Sequence, residues 1–305
     1  MKRFFTLLAT ALLAVLPLSA AQTTETAKTE TKDYKLSGFD GLEVSWFYKV
    51  ELTQAPRYAV SVEAPDFLMP YIRVEVRSGR LILGVEDMPK DVRRRIENGS
   101  RNEVIACVSM PELNVLKMSG ASRLTARGEF SSRKNFELEL SGATVLRDLS
   151  VKAGSADIEA SGASKMVDLS GKFDKLSFRG SGSSNLTLAA DAKTVELSLS
   201  GATKLSLKGK FGNVDLRSSG AANVELDGPI ETLVAEGSGA SKLNAGKAPA
   251  RRAQISFSGA SNGMIEVREE LSVSLSGASK LNYHPGPALR ITQQTVSRAS
   301  TLMSY

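Results

Sequence analysis

Ser119-Gly120-Ala121-Ser122 is a tetrapeptide that returns along most of the chain. Ser-Gly-Ala-Ser recurs at Ser161, Ser238, Ser258 and Ser276, and Ser-Gly-Ala-Thr stands at Ser141 and Ser200. Variants begin at Ser181 (SGSS), Ser219 (SGAA) and Ser297 (SRAS). Successive blocks are 22, 20, 20, 19, 19, 19, 20, 18 and 21 residues apart. A period near 20 sustained over ten blocks is the mark of a solenoid, in which each repeat buries its apolar face only by stacking on its neighbours.

Counting the first Ser of each block as position zero resolves the repeat. Position −5 holds Phe136, Leu176, Val195, Val214, Leu233 and Leu271. Position −3 holds Leu116, Leu138, Ile158, Phe178, Leu197, Leu216, Ile255 and Val273. Polar residues such as Glu137, Glu196 and Asp215 alternate with them, so this segment is a strand with one buried and one wet face. Leu124, Leu146, Met166, Leu186, Leu205, Val224, Leu243 and Leu281 at +5 mark a second strand. Gly at +1 fits a bend between the two, since only Gly takes positive φ without strain. The Ala at +2 is expected to point into a tight corner. The hydroxyls at zero and +3 are expected to satisfy backbone groups at the bend. The fold class that follows is all-β: a parallel β-helix, or solenoid, of roughly 20-residue rungs with an irregular strand-rich N-terminal section, with a hairpin-based sandwich as the rival that the stacked columns disfavour. At about 4.8 Å per rung, ten rungs make a rod of about 45–50 Å.

Residues 1–21 carry Lys2 and Arg3, an apolar run from Phe4 to Leu18 and a small-residue Ser19-Ala20-Ala21, the pattern of a cleaved export signal. The apolar run falls short of the roughly 20 residues that span a bilayer. The chain is therefore expected to be exported, periplasmic or at the cell surface, with no transmembrane segment after cleavage. Residues 22–33 are polar and read as a disordered leader. Residues 34–305 read as one solenoid domain, with irregular first coils over 34–110 and regular repeats over 111–305. Within the irregular part, residues 86–103 include Arg93, Arg94 and Arg95 and read as a surface excursion or short helix. Ile72–Val76 and Leu81–Leu83 look like two strands over a Gly turn. Cys107 is the one cysteine, so no internal disulfide is available, and it is expected to be a buried or half-buried strand residue.

Phe39-Asp-Gly-Leu42-Glu-Val44, the Ser-Gly blocks about 20 residues apart, and Tyr283-His-Pro-Gly286-Pro287 together resemble the head GIN domain family of auto-transporter adhesins, found in exported bacterial proteins. The resemblance spans nearly the whole chain after the signal. It implies a right-handed parallel β-helix-like fold in the cell envelope and brings no catalytic residues with it.

Chemistry-bearing residues are sparse. His284 and Cys107 stand alone, so neither a hydrolytic triad nor a zinc site assembles from them. No phosphate-binding glycine loop follows a strand, and no cofactor is expected. Aromatic residues are 6% of the chain, and the net charge of +6 includes Lys2 and Arg3 of the signal, so nucleic acid is not an expected partner. Asp148, Asp157, Asp168 and Asp174 are scattered among lysines rather than clustered as in a calcium-dependent lyase.

The most informative outward position is +4. From residue 165 onward it runs Lys165, Asn185, Lys204, Asn223, Lys242, Asn262, Lys280. Two readings stand. One is that alternation spares stacked lysines their mutual repulsion, with Asn side chains hydrogen-bonding between them. The other is a strip of cations roughly 10 Å apart that binds an anionic glycan or polymer. The expected function is a non-enzymatic envelope or adhesin-like module that presents a rigid face to a glycan or protein. A polysaccharide-active β-helix enzyme and a scaffold that self-associates end to end remain as alternatives.

Overall fold

The computed structural model describes residues 28–98, 103–132 and 134–305. The expected signal and residues 22–27 of the polar leader lie outside them. The protein is 65% strand and 4% helix and forms a β-solenoid of about 9 turns. Strands of successive rungs pair in parallel, with like positions opposite one another: Leu186 faces Leu205, and Leu205 faces Val224. The twenty-residue period is thus one turn of chain per rung. In the middle of the rod the segments fuse into long bent strands, such as Lys165–Gly180, Asn185–Leu199 and Lys242–Phe257.

The corner at Ser-Gly-Ala holds the rungs in register. Gly120, Gly142, Gly162, Gly182, Gly201, Gly220, Gly239, Gly259 and Gly277 all have φ between 65° and 73°. The backbone at that corner still runs the inter-rung ladder without a gap. Ser161 N–H donates to Leu140 O at 2.8 Å, Ala163 N–H to Gly142 O at 2.8 Å, and Lys165 N–H to Thr144 O at 2.8 Å. A Cβ on Gly162 would stand 2.6 Å from Gly142 O. Glycine is therefore required twice over, for the left-handed conformation and for the close approach of the rung beneath.

The parity of the repeat carries through the bend, so +3 faces inward with +5. Ser122, Thr144, Ser164, Ser184, Thr203, Ser241, Ser261 and Ser279 are all buried. Several close the turn by donating to the carbonyl at position zero: Ser184 to Ser181 O at 3.0 Å, Thr203 to Ser200 O at 2.7 Å and Ser261 to Ser258 O at 2.8 Å. Thr144 and Ser164, and Ser241 and Ser261, also meet across rungs at 3.3 and 3.1 Å. The Ala at +2, expected inside the corner, is instead exposed on its outer edge. A side chain there would meet solvent; what +2 supplies is its backbone N–H.

Inside, Leu, Val, Ile and Phe at −5, −3, −1, +5 and +7 form one continuous core. Volume is matched between files. Gly237 at −1 and Gly263 at +5 are buried, and a Cβ on either would strike the Phe257 ring, at 2.8 and 2.5 Å. The ring fills the space that the two missing side chains leave.

The N-terminal section contains a rung that the tetrapeptide does not mark. Gly41–Val44 pairs in parallel with Val115–Met118, and Tyr48–Gln54 with Arg123–Arg127. Between them Ser45-Trp46 forms the same corner: Trp46 has φ 69°, and its carbonyl accepts the Ala121 N–H at 2.6 Å. Tyr48 takes the inward +3 place, fully buried, with its hydroxyl donating to Gly84 O at 2.9 Å; burial pushes its phenol pKa up. Asn114, also buried, donates to the Asp40 carboxylate at 2.7 Å and accepts from Ser132 Oγ at 2.6 Å, tying this rung to the next.

Chain order and spatial order part company here. Residues 41–54 lie inside the stack, because their other edge pairs in parallel with Arg80–Val85 and Val104–Met110. The outermost layer is antiparallel. Ile72–Arg77 forms a hairpin with Arg80–Val85 through Ser78 and Gly79, both at positive φ. Ala59–Pro65 pairs with Val104–Met110 and with Thr29–Tyr34. The polar leader was expected to be disordered to residue 33, yet Thr29–Tyr34 is a strand. It is exposed from Thr29 to Asp33, with only Tyr34 half-buried against the core, and is held chiefly by backbone pairing, which hydrophobic patterning does not reveal. The charged excursion contains the helix Lys90–Asn98, with Arg95 stacked 4.1 Å from the Phe67 ring. Cys107 is exposed, not buried: Val104, Ala106 and Val108 face the core, and strand parity turns Cys107 outward.

Two predictions follow from the corner. Gly162→Ala should lower stability by about 2 kcal/mol or more, read as a fall in the thermal unfolding midpoint, because it adds both φ strain and a backbone clash. The hydroxyl file should respond unevenly. Ser122 Oγ is buried with no protein partner, whereas Ser261 Oγ is bonded twice. Ser261→Ala should cost about 1 kcal/mol, while Ser122→Ala should be neutral or stabilising, as Ala222 at the equivalent place already suggests.

Candidate binding face

Two outward faces flank the corner, and they handle charge differently. On the strand before the bend, positions −4 and −2 carry both signs. Lys117 contacts Glu137 at 2.7 Å and Glu139 at 3.0 Å. Arg179 contacts Asp157 at 3.0 Å and Glu159 at 3.4 Å, and Arg217 contacts Asp215 at 3.0 Å and Glu236 at 3.7 Å. Every cation at −2 among the described residues therefore faces a carboxylate on a neighbouring rung. Hydrogen bonds to Glu137 and then Glu139 hold the Lys117 pKa above its ordinary value.

On the strand after the bend, Arg127 and Lys208 at +8 still pair with Glu51 at 3.4 Å and Asp227 at 3.7 Å, but the +4 file is unlike this. The structure brings all seven sequence-predicted residues into one file: Lys165 opposite Asn185, Asn185 opposite Lys204, then Asn223, Lys242, Asn262 and Lys280 in turn. The file extends beyond them, through Val145 and Arg123 to Lys49 at one end and to Thr301 at the other. Lysines stand two rungs apart, roughly 10 Å. Lys165, Lys204, Lys242 and Lys280 are exposed and form no ion pair with any described residue. The only carboxylate in the neighbouring +6 file from Thr187 to Met303 is Glu225.

One sequence expectation is corrected. The asparagines do not hydrogen-bond between lysines. Asn185 and Asn223 make no side-chain hydrogen bond with described residues, and Asn262 donates to Ala260 O of its own corner at 3.0 Å. Although amide and ammonium are only one rung apart, both are directed outward and do not meet. Repulsion between lysines two rungs apart is about 0.4 kcal/mol in water and is screened further by salt, so it is a weak reason for the alternation.

Sequence reading missed what lies beside the file. Asn244, Met264 and Asn282 at +6 join Lys242, Asn262 and the backbone of Gly263 around a hollow of about 160 Å³. Asn282 Oδ1 is enclosed there without a protein partner, and Met264 is 41% exposed. His284, further along the same face, has Nδ1 2.9 Å from Tyr305 O and lies at the end of the strand Lys280–Pro285 rather than in a turn. Alignment of +6 in the sequence would have shown the amides; the hollow depends on Gly263 and could not be read.

A larger groove of about 740 Å³ runs along a different corner, past Phe173, Phe211, Ile230, Lys193, Arg251 and Glu269. Its Lys193 pairs with Asp174 at 2.7 Å, and Arg251 with Glu231 at 3.0 Å and Glu269 at 2.6 Å. Those pairs raise the Lys193 and Arg251 pKa values. With much of its charge satisfied internally and its apolar floor nearly closed, the groove has less to offer a ligand than the lysine file. Among the described residues no group of three or more His, Cys, Asp or Glu could hold a metal ion, and no helix is long and apolar enough to cross a membrane.

The described residues form a stacked β-solenoid with a patterned outer face. The chain belongs to the family described as "Putative auto-transporter adhesin, head GIN domain", whose model matches residues 38–192 and 187–287. The solved structure of an adhesin-like protein from Parabacteroides merdae is similar at TM-score 0.51 and 16% identity, covering 92% of this chain and 97% of its own. One from Parabacteroides distasonis is similar at TM-score 0.52 and 15% identity, covering 92% and 98%. At such identity the likeness speaks for the fold alone. Among curated proteins, none matches the chain.

The two faces should differ in amine chemistry. Limited acetylation near neutral pH, followed by peptide mass spectrometry, should modify Lys165, Lys204, Lys242 and Lys280 well before Lys117. Lys117 is the more enclosed, and its carboxylate partners disfavour the neutral amine that reacts.

Proposed function

We propose that this protein is a non-enzymatic binding module of the bacterial cell envelope that holds an anionic glycan along the +4 file of its rod. The observation that carries this reading is the asymmetry of charge pairing. The fold neutralises its cations at −2 with acids from neighbouring rungs, and leaves the lysines of the +4 file without any. Stacked cations on a rigid support make a linear array of charge that needs no ordering before it meets a polymer, which reduces the entropic cost of binding. Each exposed ammonium–anion contact contributes little alone, but four in a line act together on one chain. The export pattern of residues 1–21 and the adhesin description of the family support a location outside the cytoplasm.

Retention on a heparin-type column tests this directly. Replacing Lys165, Lys204, Lys242 and Lys280 together by Gln should move elution to clearly lower salt. Replacing Lys117, Arg179 and Arg217 by Gln should leave it nearly unchanged. Equal retention of the first variant, or an equal loss in the second, would count against the strip.

A further inference from the structure

We propose that the file selects a linear polysaccharide in which an acidic sugar alternates with a neutral N-acetylated amino sugar, laid parallel to the rod axis with one sugar per rung. The inference rests on the anionic-glycan reading above and adds the period and the chemistry of the ligand.

The period comes from the register. Lys165, Lys204, Lys242 and Lys280 occupy alternate rungs, and Asn185, Asn223 and Asn262 the rungs between, with each neighbour directly opposite in the ladder. A rung rises by roughly 4.8 Å, close to the advance of one pyranose in an extended chain. A polymer bearing one carboxylate on every second sugar places its charges at the lysine spacing. A polymer with a carboxylate on every sugar sets half of them against asparagine, which offers an amide but no charge. Those carboxylates are desolvated without a counter-charge, a cost that the alternating polymer avoids.

The neutral sugar is argued from what faces it. The Asn185 and Asn223 amides make no side-chain hydrogen bond within the described residues, so both the donor and the acceptor of each remain for a ligand. An acetamido group presents the matching pair. Beside Lys242 the hollow of about 160 Å³ joins three amides, Asn244, Asn262 and Asn282, to the exposed thioether of Met264. Asn282 Oδ1 lacks a partner there. An N–H donor satisfies that oxygen, and the acetyl methyl lies against Met264, so both ends of an acetamido group find a fitting contact. Glu225, on the neighbouring file, adds repulsion against a uniformly acidic chain and little against an alternating one.

The test uses the whole exported chain and length-matched oligosaccharides in calorimetry. The probes are hyaluronan, which alternates a uronic acid with an N-acetylated sugar; polygalacturonate, which is acidic throughout; and chito-oligosaccharide, which is N-acetylated but uncharged. Hyaluronan should bind about tenfold or more tightly than either of the others. Converting Asn185 and Asn223 to Lys removes the alternation without touching the core, and should reverse the order of hyaluronan and polygalacturonate. Polygalacturonate binding as tightly as hyaluronan to the native chain, with loss in the four-lysine variant, would overturn the alternation and leave the strip standing. No binding of either acidic polymer, or binding that survives the loss of all four lysines, would overturn both.

Discussion

Everything in this rod depends on a glycine carbonyl accepting a hydrogen bond from the rung above at a corner of positive φ. Gly142 O takes the Ala163 N–H, Gly162 O the Ser183 N–H, and so along the stack. Backbone N–H and C=O groups at a turn must find partners, and a chain that bends can leave them without any. Here the ladder passes through the turn, so each rung is fixed to its neighbour on both sides of the bend as well as within it. The register of every side-chain file follows. A rung cannot slip by one residue without bringing a Cβ into the glycine file, where the space beneath is closed by backbone.

That rigidity explains how surface chemistry is organised. Because like positions stack at a fixed rise, any pattern written along the sequence at the repeat period becomes a pattern in space. Acids and bases placed at −4 and −2 become inter-rung ion pairs. A Lys–Asn alternation at +4 becomes a line of separated cations. The same rule governs the interior, where the paired glycines Gly237 and Gly263 and the ring of Phe257 exchange volume across rungs.

The N-terminal end obeys different physics. A stack of parallel strands leaves an open edge that would recruit another chain. The protein closes it by inserting its first rung, residues 41–54, beneath a later one and covering that with antiparallel strands, a hairpin and a short helix. Trp46 shows the cost of this arrangement. A bulky residue held at the glycine conformation bears strain of order 1–3 kcal/mol, sustained by the ladder bond from Ala121 and the packing around it. The Thr29–Tyr34 strand, exposed up to Asp33, is the outermost piece of the same closure.

The sequence by itself determined the rung length, the glycine bend, the inward files from Phe136 to Leu281 and the adjacency of Lys165 to Asn185 and its successors, because these repeat at a fixed period and are local to each coil. It also contained, in the parity of Val104, Ala106 and Val108, the outward direction of Cys107. Only the tertiary structure decided which way Ser/Thr at +3 and Ala at +2 point, since small side chains carry no hydrophobic signature to tell inside from outside. Only it could show that Ser45-Trp46 is a corner, because the residue that normally announces one is missing. And it alone revealed that the cations at −2 are paired while the lysines at +4 are not. Ion pairing depends on which side chains of separate rungs come within reach, and that distance is set by stacking and not by anything within a single repeat.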